Sequence, residues 1–336
     1  MDVQQLQKIL QAIDILSPTA FSFAGQVFNG QMIPPMQLGQ AQMQPENMLV
    51  GQLQHALYMY TYIQRFDGIL STPPMIQQPS DDLIEVLSQA NTSCERWDVG
   101  WQIVQVAPSG QVLAHKNSAT RSLWPGEFLT QDGPGAPLRV GAMIRIYSPR
   151  ESKALQSGFY FAFGETASEP QEMYEAVRFY LNSSAESAIE LMQQVTHTLN
   201  RFKIPFRFKC CTYPVLFYRL DSSVLYVTKR HYRITAELLL DIYRRLQHPL
   251  EPETPMFTRR LAPGLAFAEE PGTGESFGML CCRIVAEGLW SASIQGAQSI
   301  QARLNEVKKQ FERYGIDFEQ PYLRPASIDI YEFPIY

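Results

Sequence analysis

Leu6, Ile9, Leu10, Ile13 and Leu16 recur at the three- and four-residue spacing of a helix, and this periodicity predicts a helix over residues 1–16. A second helical stretch covers 48–66. A third covers 80–93, opened by Ser80 as N-cap ahead of Asp81 and Asp82 in the first turn. The intervening segment, 28–47, is rich in Gln, Met, Pro and Gly. Its prolines forbid a long helix, so it reads as an extended loop, either a lid or peptide-docking segment or a flexible linker. Residues 1–93 therefore form a helical N-terminal region.

At Trp97 the period changes from helical to alternating. Residues 97–118 alternate apolar and polar side chains around Pro108-Ser109-Gly110, which predicts a β-hairpin. Further strands are expected at 139–150, 157–165 and 173–184, two or three within 205–229, and a short one at 264–270. Helices are expected at 185–202, 235–247, 277–292 and 298–314, the last ending near Gly315 as a C-cap. Regular crossover helices do not separate these strands. The prediction for residues 94–336 is thus an α+β domain with a mixed, largely antiparallel sheet packed with helices.

Composition narrows the functional classes. Hydrophobic residues make up 45% of the 336 positions and charged residues 18%, enough apolar material for a sizeable core. With 28 basic against 33 acidic residues the net charge is −5, so no basic surplus exists to attract nucleic acid. The acidic start lacks the basic flank and continuous apolar run of a secretory signal. No stretch of about 20 uninterrupted apolar residues suggests a membrane span. Cys94, Cys210-Cys211 and Cys281-Cys282 offer neither a disulfide framework nor zinc-ligand spacing, and are expected to be reduced and buried, in a cytoplasmic protein. No Ser-His-Asp arrangement or dinucleotide fingerprint is present.

Several segments carry a resemblance: the hairpin ending in His115-Lys116, SGFYFAFG, VRFYLN, LNRFKIPFRFKCC, YRLDSSVLYV, and most specifically LAPGLAFAEEPGTGESFGMLCCRIVAEGL. Over about residues 95–290 the chain resembles the Hop A-class effector family. That family joins type III effectors of plant pathogens to the phosphothreonine lyases of class V lanthipeptide and thioamitide biosynthesis. The resemblance implies elimination of phosphate from phosphorylated Ser or Thr in a ribosomal precursor peptide. It also implies a separate kinase-like partner; the lack of metal-ligand spacing and of a dinucleotide fingerprint predicts neither metal nor cofactor. In the helix after Ser276-Phe277-Gly278 the first arginine is Arg283.

Such an elimination needs a base for the Cα proton, a cation to steady the enolate, and donors for the departing phosphate. A lysine with disfavoured charge suits the first role and arginine forks the last. Strand alternation places Arg207 and Lys209 on one face. It groups Arg178, Tyr180 and Asn182 likewise, Arg145 with Met143 and Tyr147, and Arg219 with Asp221 and Ser223. The competing reading is a solvated sheet face, with Arg219 and Asp221 a simple ion pair. Lys116 and Lys209 are the candidate bases. His115, on the opposite side of its strand from Lys116, is a third catalytic candidate or an ordinary exposed histidine, and His231 is a rival acid. The glycine-rich run 270–278 could hold phosphate at a helix N-terminus with Ser276 as cap or ligand, or could be a structural turn; Glu269, Glu270 and Glu275 would repel an anion unless turned away. If the lyase reading holds, at least three of Arg145, Arg178, Lys209, Arg219 and Arg283 should converge in one cavity. The alternative is a non-catalytic, effector-like protein that binds a peptide or phosphopeptide.

Overall fold

The computed structural model of the protein describes residues 1–29, 45–72, 74, 81–117, 119–133, 135–166 and 175–334. Most of the 28–47 loop and the expected cap Ser80 lie outside the described residues. The periodic stretch at the start divides in two. Helix α1 spans Val3–Gln11, with Asp2 accepting from the Gln5 N–H at 2.9 Å, and the chain then turns into strand β1, Ile13–Ser17. With β2 (Ala20–Phe23) and β3 (Gln26–Asn29) it forms a three-stranded antiparallel sheet. Ile13 and Leu16, expected on the helix, are strand residues: Ile13 is also two positions from Ile15, and burial of Phe21 and Phe23 rewards the extended alternative. Helix α2, Pro45–Leu57, continues into a π-helical turn at Tyr58–Tyr62, and α3 spans Asp81–Ala90.

A five-stranded antiparallel sheet follows, in spatial order β6-β5-β4-β8-β7. Its strands are β4 (Arg96–Val106), β5 (Val112–Lys116), β6 (Ala119–Leu123), β7 (Phe128–Thr130) and β8 (Met143–Ser148). Trp101, Ile103, Val112, Ala114, Ile144 and Ile146 fill its inner side, which leaves Trp97 and Tyr147 on the outer side.

The largest sheet has the order β14-β15-β11-β13-β12-β10-β9, and every pairing in it is antiparallel. The strands are β9 (Glu151–Gln156), β10 (Phe159–Phe163), β11 (Ala176–Leu181), β12 (Phe206–Cys211), β13 (Ser223–Thr228), β14 (Arg259–Ala262) and β15 (Leu265–Glu269). Helices α4 (Ala185–Arg201) and α5 (Tyr232–Arg245) cover one face through Phe179, Phe208, Leu225 and Phe267. On the other face α6 (Phe277–Ile294) covers only the β15-β11-β13 side, packing on Ala266, Ala268, Tyr180 and Val224. The sheet is therefore neither fully sandwiched nor half-solvated. Its β12-β10 side keeps the cations that alternation predicted.

By length and composition α6 could cross a membrane, although Arg283 and Glu287 interrupt its apolar run. It is instead a core helix, mostly buried between α2, α7 (Ile300–Arg313) and the sheet. Residues from Leu6 to Phe66 share this core with Phe277 to Phe318, so the stretch before residue 93 packs into the same body as the rest. Cys210 and Cys211 point to opposite faces of β12, both fully buried, and burial pushes the Cys210 thiol up to about 12. Cys94, expected to be buried, is exposed.

Candidate functional site

Three groups of side chains lie on the face of the large sheet that α6 covers in part. In the first, Arg178, Tyr226 and Arg207 are cross-strand neighbours on β11, β13 and β12. Guanidinium carbons lie 5.3 Å (Arg178) and 4.4 Å (Arg207) from the centre of the Tyr226 ring between them. In the second row Tyr180, Val224 and Lys209 are neighbours, Lys209 reaching Gln156 at 3.2 Å and lying 4.2 Å from the Phe159 ring centre. Beyond them lies the Arg219–Asp221 pair. Alternation put those two residues on a strand, but Pro214 cannot extend a ladder, and the chain leaves β12 in a 3-10 turn at Pro214–Tyr218. Arg219 closes that turn, and β13 starts only at Ser223.

Arg219 grips Asp221 with two bonds of 2.8 and 3.0 Å and reaches the Tyr58 hydroxyl at 3.1 Å. Burial alone would raise Asp221, but Arg219, aided by Lys209, holds its carboxyl below the usual range. The pair is buried, so it is not the weak exposed pair of the rival reading. Asn182 is a scaffold residue that donates to the Glu253 carbonyl at 3.1 Å.

The first row ends in a cleft of about 400 Å³ between the two larger sheets. Arg207, Tyr226 and Thr228 line it from the large sheet, Arg121 and Ser148 from the small one, and Glu270, Gly272 and Gly274 from the loop before α6. Gly272 and Gly274 have φ of +74° and +80°, a conformation that side chains resist, which explains glycine at these two positions. All three glutamates that would repel an anion are occupied. Glu269 binds Lys229, and Glu270 takes two bonds of 2.5 Å from the Arg178 guanidinium. Glu275 binds Arg283 at 2.9 Å. Among the described residues Arg121 and Arg207 have no carboxylate partner. The buried Arg207 Nε has no acceptor, while Arg121 stacks 5.2 Å from the centre of the Trp101 ring. On the same inner side of the small sheet Arg96, the cross-strand neighbour of Ser148, also has a buried Nε without an acceptor.

The sequence-derived candidates divide. Arg178, Tyr180, Lys209, Arg219 and Asp221 share one sheet face, but none of them lines the cleft. Arg178 supports it from behind through Glu270. Arg283 sits on α6, tied to Glu275, Glu287 and Tyr314. Arg145 stacks on Trp97, 4.9 Å from its centre, on the outer side of the small sheet. The expected convergence of three among five named cations in one cavity is not found. Lys116 points inward as alternation predicted, bound to Asp98 at 2.5 Å and 6.0 Å from the Trp101 centre, while His115 is exposed beside Thr120. His231 meets Thr228 at 2.6 Å. Ser276 caps α6, accepting from the Met279 N–H at 3.4 Å. Sequence reasoning placed Arg207 on the right face without naming it as a site residue, and missed Arg121 and Tyr226. Their signal, aromatic–cation alternation on three strands, becomes visible only once strand order is known.

No curated protein matches this chain. Among solved structures, the effector protein from Pseudomonas syringae pv. tomato strain DC3000 superposes with a TM-score of 0.44 at 16% identity, covering 86% of this chain and 93% of that one. The effector protein from Pseudomonas syringae pv. syringae strain 61 does so with a TM-score of 0.44 at 14% identity, covering 82% and 96%. The HopA1 effector protein family model matches residues 150–323, from the approach to β9 through α7 to the start of the C-terminal segment, and the chain belongs to that family.

Proposed function

We propose that this protein takes a phosphorylated Ser or Thr of a peptide into the cleft between its two larger sheets. There it eliminates the phosphate to give a dehydroamino acid. The five cations on which the sequence rested this reading do not converge; what carries it instead is a different pair, Arg121 and Arg207, which line one cleft with Gly272 and Gly274 and have no carboxylate partners among the described residues. Guanidinium forks suit a phosphate dianion, and backbone N–H groups of a glycine loop can complete its shell. A separate kinase-like protein would supply the phosphorylated precursor peptide in the cytoplasm, in keeping with the family resemblance.

A second reading, phosphopeptide binding without turnover, is favoured by one observation: neither Lys116 nor Lys209 lines the cleft. A synthetic phosphothreonine peptide separates the two. Loss of phosphoric acid by mass spectrometry is the result expected of a lyase, and saturable binding of an unchanged peptide would favour the second reading. Release of the free hydroxyl peptide, or no binding at all, would overturn both.

A further inference from the structure

We propose that Tyr226 is the proton-transfer residue of the cleft, an inference that rests on the elimination reading above. Among the described lining residues four titrate: Arg121, Arg207, Glu270 and Tyr226. Arginine does not give up its proton in a protein. Both Glu270 oxygens accept from Arg178, so its charge is committed to a bidentate pair that protonation would weaken. The Tyr226 hydroxyl has no hydrogen bond to any described residue. Its ring is held at both sides by Arg178 and Arg207, on a central strand whose register leaves it little freedom. A proton-transfer group needs an unengaged atom at a fixed place beside the bound substrate, and tyrosine is among the side chains that serve.

The step balances without a co-reactant. The Tyr226 hydroxyl gives its proton to a non-bridging oxygen of the bound phosphate; the oxygen so exposed takes the Cα proton, and the electron pair of that C–H bond becomes the Cα–Cβ double bond. The Cβ–O bond breaks, and its pair leaves with the phosphate, held by Arg207 and Arg121. The phosphate departs as hydrogen phosphate, carrying the proton that Tyr226 gave it, and Tyr226 ends as the hydroxyl it began as. No atom is oxidised or reduced in net terms.

Tyr226→Phe keeps the stacked ring and removes the single atom in question. With the full chain and a phosphothreonine peptide, elimination should fall by a factor on the order of 10²–10⁴, with the dissociation constant of the peptide unchanged within about threefold. Thermal melting of the variant reports whether the fold is kept. Elimination by Tyr226→Phe within threefold of wild type would overturn the assignment and leave the lyase reading intact. So would a Glu270→Gln variant that binds the peptide normally but does not turn over while Tyr226→Phe does. A wild-type protein that binds but never eliminates overturns the lyase reading, and the role of Tyr226 with it.

Discussion

A Cβ atom at Gly278 would lie 2.3 Å from the Tyr62 ring, closer than any carbon contact tolerates. The glycine lets α6 pass over the π-helical turn, so its place in the Ser-Phe-Gly run is steric. Gly278→Ala should destabilise the protein by about 1–3 kcal/mol, the usual cost of overpacking, seen as a lower urea midpoint with an unchanged slope. An unaltered midpoint would show that Tyr62 yields freely. On the proposed reading, Arg207 is the residue on which phosphate recognition turns. Arg207→Ala should weaken phosphothreonine-peptide binding by about 1.5–3 kcal/mol, roughly tenfold or more in Kd by fluorescence anisotropy. Arg207→Lys should recover only part of that, because it restores charge without the planar fork. Alternation made the face of Arg207 legible; what stands beside it was not legible.

At the scale of elements, the segment after α7 acts as a strap across the end of β15. Glu269 is 3% exposed and accepts from Lys229 at 2.9 Å, Ser327 at 2.7 Å, the Arg324 N–H at 2.9 Å and the Tyr331 hydroxyl. Burial alone would raise this carboxyl, but those donors, Tyr331 foremost, outweigh it and hold Glu269 below the ordinary glutamate range. A lowered carboxylate contributes stability that is present above the unfolded-state value and lost as pH falls through the folded one. Tyr331→Phe should therefore reduce stability by about 1.5–3 kcal/mol at neutral pH, with the gap closing below roughly pH 4. Urea melts at a series of pH values check this; a gap that stays constant into acid would exclude Glu269 as the linked group. Because Glu270 follows directly, the strap also fixes the residue that holds Arg178 behind the cleft. The β1–β3 sheet is the element that sequence periodicity obscured. Its Ala24-Gly25 turn, with φ of +48° and +81°, is a tight hairpin connection, but Ile13 and Leu16 also satisfy the helical period.

At the scale of the whole molecule, the cleft exists because two sheets of different origin in the chain meet, and each brings one arginine. If Arg121 and Arg207 hold the same phosphate, their effects on binding are coupled. An Arg121→Ala, Arg207→Ala double-mutant cycle should give an interaction energy of at least about 0.5 kcal/mol, measured from four dissociation constants. Strict additivity would mean that the two arginines serve separate ligands. Ligand should also tie the sheets together, raising stability by about 2.7 kcal/mol at a concentration of 100 times Kd.

The amino-acid sequence by itself determined the α+β class, the alternating strand pattern from residue 97 onward, and the sidedness of Arg178, Arg207, Lys209 and Lys116. All of these follow from local periodicity, which burial enforces residue by residue. It also marked the glycine run before α6 as a junction of strand and helix. The tertiary structure alone decided which cations are spent and which are free. Arg178 and Arg283 are neutralised by Glu270 and Glu275, Arg219 by Asp221, and Lys116 by Asp98, whereas Arg121 and Arg207 are left facing the cleft. The physical reason is that alternation assigns a side chain to a face but says nothing about strand order. The placement of Tyr226 between Arg178 and Arg207 depends on pairings of β11, β13 and β12 between residues far apart in the chain.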